Sequence, residues 1–115
     1  MKDYKLYLIV IRECLGKINA YLVNGKDDFM NSQMTQDAVF LNLEIIGKSI
    51  KNLPQEWKDS EPDIEWLTFV NLSDILTYDY FQINLENVWL IIDDCLQDLD
   101  RAINRINLQF GESEV

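Results

Sequence analysis

The sequence predicts an all-α protein, an antiparallel four-helix bundle that forms one domain over residues 1–115. Apolar residues recur at intervals of three and four along four long stretches, as they do on the buried face of a helix. Hydrophobic residues make up 48% of the chain, which is enough for a single core. The chain has only 4 Gly and 2 Pro, fewer than the many turns of a β-sandwich or barrel require.

The first predicted helix runs from about Asp3 to Asn24. Its apolar stripe consists of Tyr4, Leu8, Ile11, Leu15, Ile18 and Leu22. Gly25 follows and suits the left-handed backbone that commonly ends a helix. Residues 27–33 are expected to form a short connection, with Phe29 tucked beneath it.

The second predicted helix covers about residues 32–53 and is stopped by Pro54. Its stripe consists of Val39, Leu43, Ile46, Ile50 and Leu53. Because glycine lowers helix propensity, Gly47 within this helix indicates a close crossing with another helix. A polar linker over residues 55–61 follows, with room for one helical turn around Trp57.

The third predicted helix starts at Pro62, which suits the first helical position, and runs to about Tyr78. Its stripe is Trp66, Phe69, Ser73, Leu76 and Tyr80, so Ser73 and Tyr80 would share a face if the helix continued that far. The fourth helix begins after Asn84, a favoured N-cap. Its stripe is Leu85, Val88, Ile92, Cys95, Leu99, Ala102, Ile106 and Phe110. The tail, residues 111–115, is expected to fray.

Charge and cysteine usage limit the possible partners. The net charge is −10, which argues against binding to DNA or to an anionic membrane and makes RNA an unfavourable ligand. No apolar run approaches the length of a membrane span. The chain has no histidine, so Cys14 and Cys95 are interpreted as buried free thiols in the cytoplasm rather than as a disulfide or metal ligands. No cofactor is expected.

Two segments carry a family resemblance. Residues 37–49 read Asp-Ala-Val-Phe-Leu-Asn-Leu-Glu-Ile-Ile-Gly-Lys-Ser, and residues 80–89 read Tyr-Phe-Gln-Ile-Asn-Leu-Glu-Asn-Val-Trp. Both resemble the HepT-like branch of the HEPN ribonuclease toxins, although Lys48 stands where that family usually has Glu. The resemblance implies a HEPN-type bundle and a homodimer. It also implies metal-independent RNA cleavage by an Arg and a His from each subunit.

The catalytic motif of that family is altered in this chain. The resemblance places Arg at position 73, Asn at 74 and His at 78, where the chain has Ser73, Asp74 and Tyr78. Serine has no charge to hold a phosphate, and tyrosine, with a usual pKa of about 10, is a poor base near neutrality. Two other interpretations remain open at this stage: Ser73 as a small residue that permits close helix packing, and Tyr78 as a boundary aromatic.

Acidic residues surround the altered motif. Over residues 56–79 the chain has seven acidic side chains and one basic side chain, Lys58. A surface with that balance repels a polyanion such as RNA. Three tryptophans, at positions 57, 66 and 89, are expected in the core or at a dimer seam rather than as platforms for nucleobases, because no basic residues alternate with them.

The resemblance also gives a role for Tyr80. It matches the tyrosine that, in HepT toxins, accepts AMP from a minimal nucleotidyltransferase antitoxin; the plain alternative is a helix-terminal core tyrosine. The sequence therefore suggests a catalytically degenerate, homodimeric HepT-like protein that acts as a binding partner in a toxin–antitoxin or nucleotidyltransferase pair, and not as an enzyme. Two alternatives stay open: an active metal-independent endoribonuclease with an altered site, and a stand-alone nucleotide-binding module.

Overall fold

A computed structural model describes residues 3–111, which form six α-helices and, within that range, no strand. The helices are α1 (Lys5–Tyr21), α2 (Gly25–Asn31), α3 (Gln33–Lys51), α4 (Gln55–Asp59), α5 (Trp66–Tyr78) and α6 (Leu85–Ile106). A 3-10 turn (Tyr80–Gln82) precedes α6, and a π turn (Asn107–Gly111) follows it. The predicted all-α class and its four long helices are confirmed, and two short helices are added to them.

Helix α3 is the centre of the bundle. It lies against α1 on one side and against α5 on the other, whereas α6 approaches the backbone of α1 over only a few residues. Apolar side chains from all four long helices meet in one core, and each fully buried Leu or Ile contributes about 1.5–3 kcal/mol to stability. The fully buried members from these helices include Leu8, Ile11, Ile18, Val39, Ile46, Ile50, Leu99, Ile103 and Ile106.

The connection expected over residues 27–33 is largely helical, so that prediction was wrong. Gly25 has a φ of 85°, the left-handed backbone predicted for it, but a new helix starts at this residue. Asp27 and Asp28 occupy the first turn of α2, where negative charge interacts favourably with the exposed backbone N–H groups. Phe29 is fully buried, as predicted, and it ties this short helix to the core.

Helix α5 begins four residues later than predicted. Residues 61–65, which include Pro62, form turns rather than the first turn of the helix. The Trp66 indole N–H donates a hydrogen bond to the backbone carbonyl of Lys58 at 3.1 Å. This bond holds the chain in a turn until Trp66, where α5 starts.

The three tryptophans all pack against the core, as the sequence predicted. The predicted helical turn around Trp57 is α4. The Trp57 ring stacks on Phe110 at a centroid distance of 5.5 Å and meets Tyr4 edge-on at 6.1 Å. Trp89 lies against Phe29 at 5.6 Å. All three are partly buried.

The fourth predicted helix is α6, and its start is as expected. The Asn84 side chain caps it by accepting a hydrogen bond from the Asn87 backbone N–H at 3.1 Å. Cys14 is buried as predicted, but Cys95 is only partly buried, because the neighbouring Leu96 takes the inward position. Both thiols are free, and burial is the main cause that raises the pKa of each.

The end of the chain differs in part from the expectation of a frayed tail. Gly111 is buried and belongs to the π turn that follows α6. Residues 112–115 lie outside the part of the chain that the structure describes. Within residues 3–111, every helix is too short or too polar to cross a lipid bilayer.

Candidate functional site

The crossing of α3 and α5 brings two backbones into contact at Gly47. A Cβ atom built on Gly47 would lie 2.2 Å from the Cβ of Ser73 and 2.6 Å from the carbonyl oxygen of Phe69. Real side chains do not approach that closely, so only glycine fits while the helices keep this distance. The close crossing predicted from Gly47 is confirmed.

Ser73, at the motif position where the family has Arg, lies inside this crossing. The residue is 0% exposed, and its Oγ donates a hydrogen bond to the backbone carbonyl of Glu44 at 2.9 Å. Serine commonly makes such bonds to backbone carbonyls, here across two helices. The Ser73 side chain therefore joins α5 to α3 and reaches no solvent.

A small polar network borders the crossing on its solvent side. The Oε2 of Glu44 accepts hydrogen bonds from Lys48 Nζ at 2.8 Å and from Thr77 Oγ1 at 2.6 Å. The Lys48–Glu44 pair predicted from the sequence is thus present. The bond from Lys48, followed by that from Thr77, holds the pKa of Glu44 below its usual value, and the same Lys48 bond raises the pKa of the lysine.

The other two altered motif positions lie on the surface. Asp74 forms an ion pair with Lys51 of α3, with 2.7 Å between Oδ1 and Nζ. Tyr78 is 78% exposed, and its hydroxyl has no hydrogen-bond partner among the described residues. The three motif positions therefore present a buried hydroxyl, a paired carboxylate and an exposed phenol. The nearby lysines 48 and 51 are each held by a carboxylate.

Tyr80 does not continue the face of α5, because the helix ends at Tyr78 and Asp79 leaves the helical conformation with φ −132° and ψ 45°. Tyr80 nevertheless contacts α3. Its ring packs edge-on against Phe40 at 6.2 Å, and its hydroxyl donates a hydrogen bond to Oδ1 of Asp37 at 3.3 Å. The ring is thus packed against Phe40, while 43% of the residue stays exposed.

Two members of the site could not be found from periodicity. Thr77 and Asp37 were not singled out, because their partners lie on another helix, 33 and 43 positions away in the sequence. Helical spacing reports neighbours on one helix and carries no information about which residues meet across two. Asp37 does open the Asp-Ala-Val segment on which the family resemblance rests, and this was the available signal.

An uncharged groove runs between α5 and the start of α6, with a cavity volume of about 510 Å³. Among the described residues, its lining consists of apolar side chains and of neutral polar ones, four of them amides. They are Thr68, Asn71, Leu72, Ile75, Gln82, Ile83, Asn84, Asn87, Val88, Leu90 and Ile91. Exposed apolar residues lie along it, notably Ile75 and Leu90. This composition is unusual on a chain with 30 charged side chains.

An all-α bundle with the Leu-Glu-Ile-Ile-Gly segment on its central helix, which packs against α5, has the features that the sequence resemblance implies for a HEPN-type domain. The chain belongs to the ribonuclease HepT-like family, whose model matches residues 11–106.

Several curated proteins are similar along the chain. A Methanocaldococcus jannaschii protein named "Gamma-glutamylcyclotransferase and putative RNase" is 38% identical over 106 residues, which cover 91% of this chain and 48% of that protein. The chain therefore spans about half the length of this relative. A "Putative RNase" of the same organism is 39% identical over 115 residues, covering 98% of this chain and 95% of the relative. A "Probable ribonuclease HepT" of Thermococcus cleftensis is 33% identical, covering 91% and 96%. No solved structure matches the chain.

The Glu44 network gives a testable pH dependence. Because the pKa of Glu44 is lowered in the folded state, its stabilising effect should be complete above the usual value of 4.5 and should be lost as the pH falls below it. We expect Glu44→Gln to lower the free energy of unfolding by about 1–2 kcal/mol at pH 7 and by less at pH 3. Urea unfolding at the two pH values measures this. Thr77→Val removes one donor and leaves the carboxylate paired with Lys48, so its effect should depend on pH in the same direction but less steeply. An equal loss at both pH values for Glu44→Gln would contradict the prediction.

Proposed function

We propose that this chain is a catalytically degenerate HepT-like protein that acts as a binding partner and does not cleave RNA. One observation carries the proposal: the motif position that should offer a cation to a phosphate is the buried, uncharged Ser73, which is bonded to the backbone of Glu44. Phosphate transfer chemistry needs a fixed positive charge and a group that titrates near neutrality. Tyr78, at the motif position of the base, is a phenol.

The electrostatics of the neighbourhood support this proposal. Lys48 and Lys51 lie close to the motif, but each is neutralised by a carboxylate, Glu44 or Asp74. Five of the seven acidic residues between positions 56 and 79 are exposed. RNA would therefore meet a predominantly negative surface, with little counterion release to favour binding.

The partner that we propose is a minimal nucleotidyltransferase, with Tyr80 as the acceptor of AMP. The supporting observations are the packed ring of Tyr80, the 43% exposure of that residue, and the exposed apolar side chains beside it. Phe81 is 98% exposed, and Leu41 on α3 is also exposed. Aromatic anchors of this kind supply much of the energy of protein–protein contacts.

Co-expression with a minimal nucleotidyltransferase encoded by an adjacent gene tests this proposal. We expect the two proteins to copurify. With ATP and Mg²⁺, the wild-type chain should gain the mass of one AMP, and Tyr80→Phe should gain none. Tyr78→Phe is the matched control, because it removes a more exposed phenol two residues away and should leave the modification intact. Absence of both copurification and AMP transfer would reject the partnership.

We further propose that the chain is a homodimer and that the uncharged groove between α5 and α6 is the interface. Two copies that each carry a net charge of −10 repel one another, so a two-fold contact is favoured where both surfaces are uncharged. The amides of Asn71, Gln82 and Asn87 can both donate and accept hydrogen bonds, which suits a surface that pairs with itself.

A charge placed in the groove should separate the subunits. We expect sedimentation of the wild-type chain at micromolar concentration to give a mass of about twice 13.6 kDa. Leu90→Glu should give a monomer, because in the dimer the new carboxylate would be buried close to the same carboxylate of the other subunit. Leu6→Glu, an equally exposed leucine on α1, serves as the control and should remain dimeric. A monomeric wild type, or two variants that behave alike, would contradict the proposed interface.

A second candidate function is metal-independent RNA cleavage with an altered site. The names of the relatives favour it, since each of the three described above is named as an RNase or ribonuclease. In this chain the mechanism would have to draw its cation from Lys48 or Lys51, after release from the paired carboxylate. An RNA-cleavage assay, described below, separates this candidate from the first.

A further inference from the structure

The Asp37 carboxylate lies within hydrogen-bond distance of the Tyr80 phenol. Its Oδ1 accepts two hydrogen bonds, one from Gln33 Nε2 at 2.7 Å and one from the Tyr80 hydroxyl at 3.3 Å. Its Oδ2 has no partner among the described residues. The carboxylate is thus oriented by a neighbour on its own helix and retains capacity to accept a proton.

The phenol itself is held in place by aromatic contacts. Phe40 and Phe81 both meet the Tyr80 ring edge-on, with centroid distances of 6.2 and 6.0 Å. A shallow cavity of about 220 Å³ adjoins the ring; its lining is Asp37, Phe40, Leu41, Glu44, Leu76 and Tyr80. The Tyr80 ring therefore packs against Phe40, its hydroxyl has a carboxylate partner, and a cavity adjoins the residue.

We propose that Asp37 positions the Tyr80 phenol and takes up its proton when Tyr80 is adenylylated. This step rests on the proposed function of Tyr80 as an AMP acceptor. The phenol oxygen forms a bond to the α-phosphorus of ATP, the bond from that phosphorus to the pyrophosphate oxygen breaks, and the phenol proton passes to the Asp37 carboxylate. Pyrophosphate leaves with its magnesium. A carboxylate that accepts a hydroxyl proton in this way is an established device of phosphoryl transfer.

The comparison with Tyr78 shows why a positioning residue matters. Tyr78 is more exposed than Tyr80, so exposure alone would make it the better acceptor. Its hydroxyl, however, has no hydrogen-bond partner among the described residues, and no described ring fixes its direction. Tyr80 is less exposed, but Asp37 gives its hydroxyl a hydrogen-bond partner that can also accept its proton. Tyr78 has no such neighbour among the described residues.

The role of Asp37 can be tested on the isolated full chain with N-acetylimidazole, which acetylates phenols. Mass spectrometry after digestion gives the rate at each tyrosine. We expect Asp37→Asn to slow acetylation of Tyr80 by about tenfold, less than the roughly 100-fold or more of a general base in an active site, because the amide can hold the hydroxyl but cannot take its proton. Acetylation of Tyr78 should be unchanged. Asp98→Asn is the matched control, because it makes the same change at an exposed carboxylate of α6 that pairs with Arg101, and it should leave the Tyr80 rate within about twofold of the wild type.

Equal Tyr80 rates in the wild type and Asp37→Asn, or a faster rate in the variant, would overturn the proposal. The second arm uses the nucleotidyltransferase with ATP and Mg²⁺. Asp37→Asn should bind it with unchanged affinity but gain AMP about tenfold more slowly, and Asp37→Glu should recover part of the rate. If the wild type gains no AMP, the proposed function itself fails. If the wild type and Asp37→Asn gain AMP at equal rates, only the role of Asp37 fails.

Discussion

Gly47→Ala should lower the free energy of unfolding by about 2–3 kcal/mol, a large share of the stability of a small domain. The added methyl group would overlap the Cβ of Ser73 and the carbonyl oxygen of Phe69, at 2.2 and 2.6 Å. One of these neighbours is backbone, so α3 and α5 have to separate. The gain in helix propensity, about 1 kcal/mol, offsets only part of the cost. Urea unfolding followed by far-UV circular dichroism measures the change.

Gly16→Ala is the matched control for that substitution. Gly16 also lies in the interior of a helix, α1, but a Cβ atom built there meets nothing within 4 Å. We therefore expect this variant to be stabilised by about 0.5–1 kcal/mol, from the reduced freedom of the unfolded chain. If both variants changed stability in the same direction, the close crossing at Gly47 would not be what constrains that position.

The wild-type chain should cleave RNA no faster than background, whereas the triple variant Lys48→Glu, Ser73→Arg, Tyr78→His should cleave at least about 100-fold faster. The changes supply the cation and the near-neutral base that the family resemblance implies. Lys48→Glu is included because the family resemblance places Glu at position 48. An uncapped RNA oligonucleotide in EDTA, resolved on a gel, gives the rates.

The control for the triple variant keeps the changes at positions 48 and 73 and has Phe in place of His at position 78, so that it lacks only the base. Lys48→Glu, Ser73→Arg, Tyr78→Phe should bind RNA as well as the triple variant and cleave at background. Circular dichroism checks that Ser73→Arg is tolerated, since position 73 is fully buried in the wild type. Metal-independent cleavage by the wild type that is lost in Tyr80→Phe would instead support the altered-ribonuclease candidate.

The long helices were predictable because each carries its own local information. The intervals between apolar residues, the Asn84 cap and the stop at Pro54 are all properties of neighbouring residues, and the structure bears them out. The wrong predictions, the missing α2 and the early start of α5, concern segments whose structure depends on contacts with residues outside the segment. Helix α2 is stabilised by burial of Phe29, and the late start of α5 follows from the Trp66–Lys58 hydrogen bond. Neither contact leaves a periodic pattern in the sequence.

The contacts within the candidate site could not be predicted from the sequence. The family resemblance located residues 73, 74, 78 and 80, and Gly47 indicated a close crossing, yet nothing in the sequence showed that the two features coincide. Ser73 and Gly47 are 26 positions apart and lie on different helices, so the pattern of either helix does not reveal their contact. The pairing of Lys51 with Asp74, and of Tyr80 with Asp37, follows from the same crossing and could not be read from either helix alone.

The central place of α3 has a consequence for the motions of the molecule. Its amides are covered by α1 on one side and α5 on the other, so their hydrogens should exchange with solvent only when the whole chain unfolds. Helix α6 meets its neighbours mainly through long side chains and has open grooves on both flanks. We therefore expect α6 to unfold locally, and more often than α3. The start of α6, next to Tyr80, should be among the first segments to exchange its amide hydrogens.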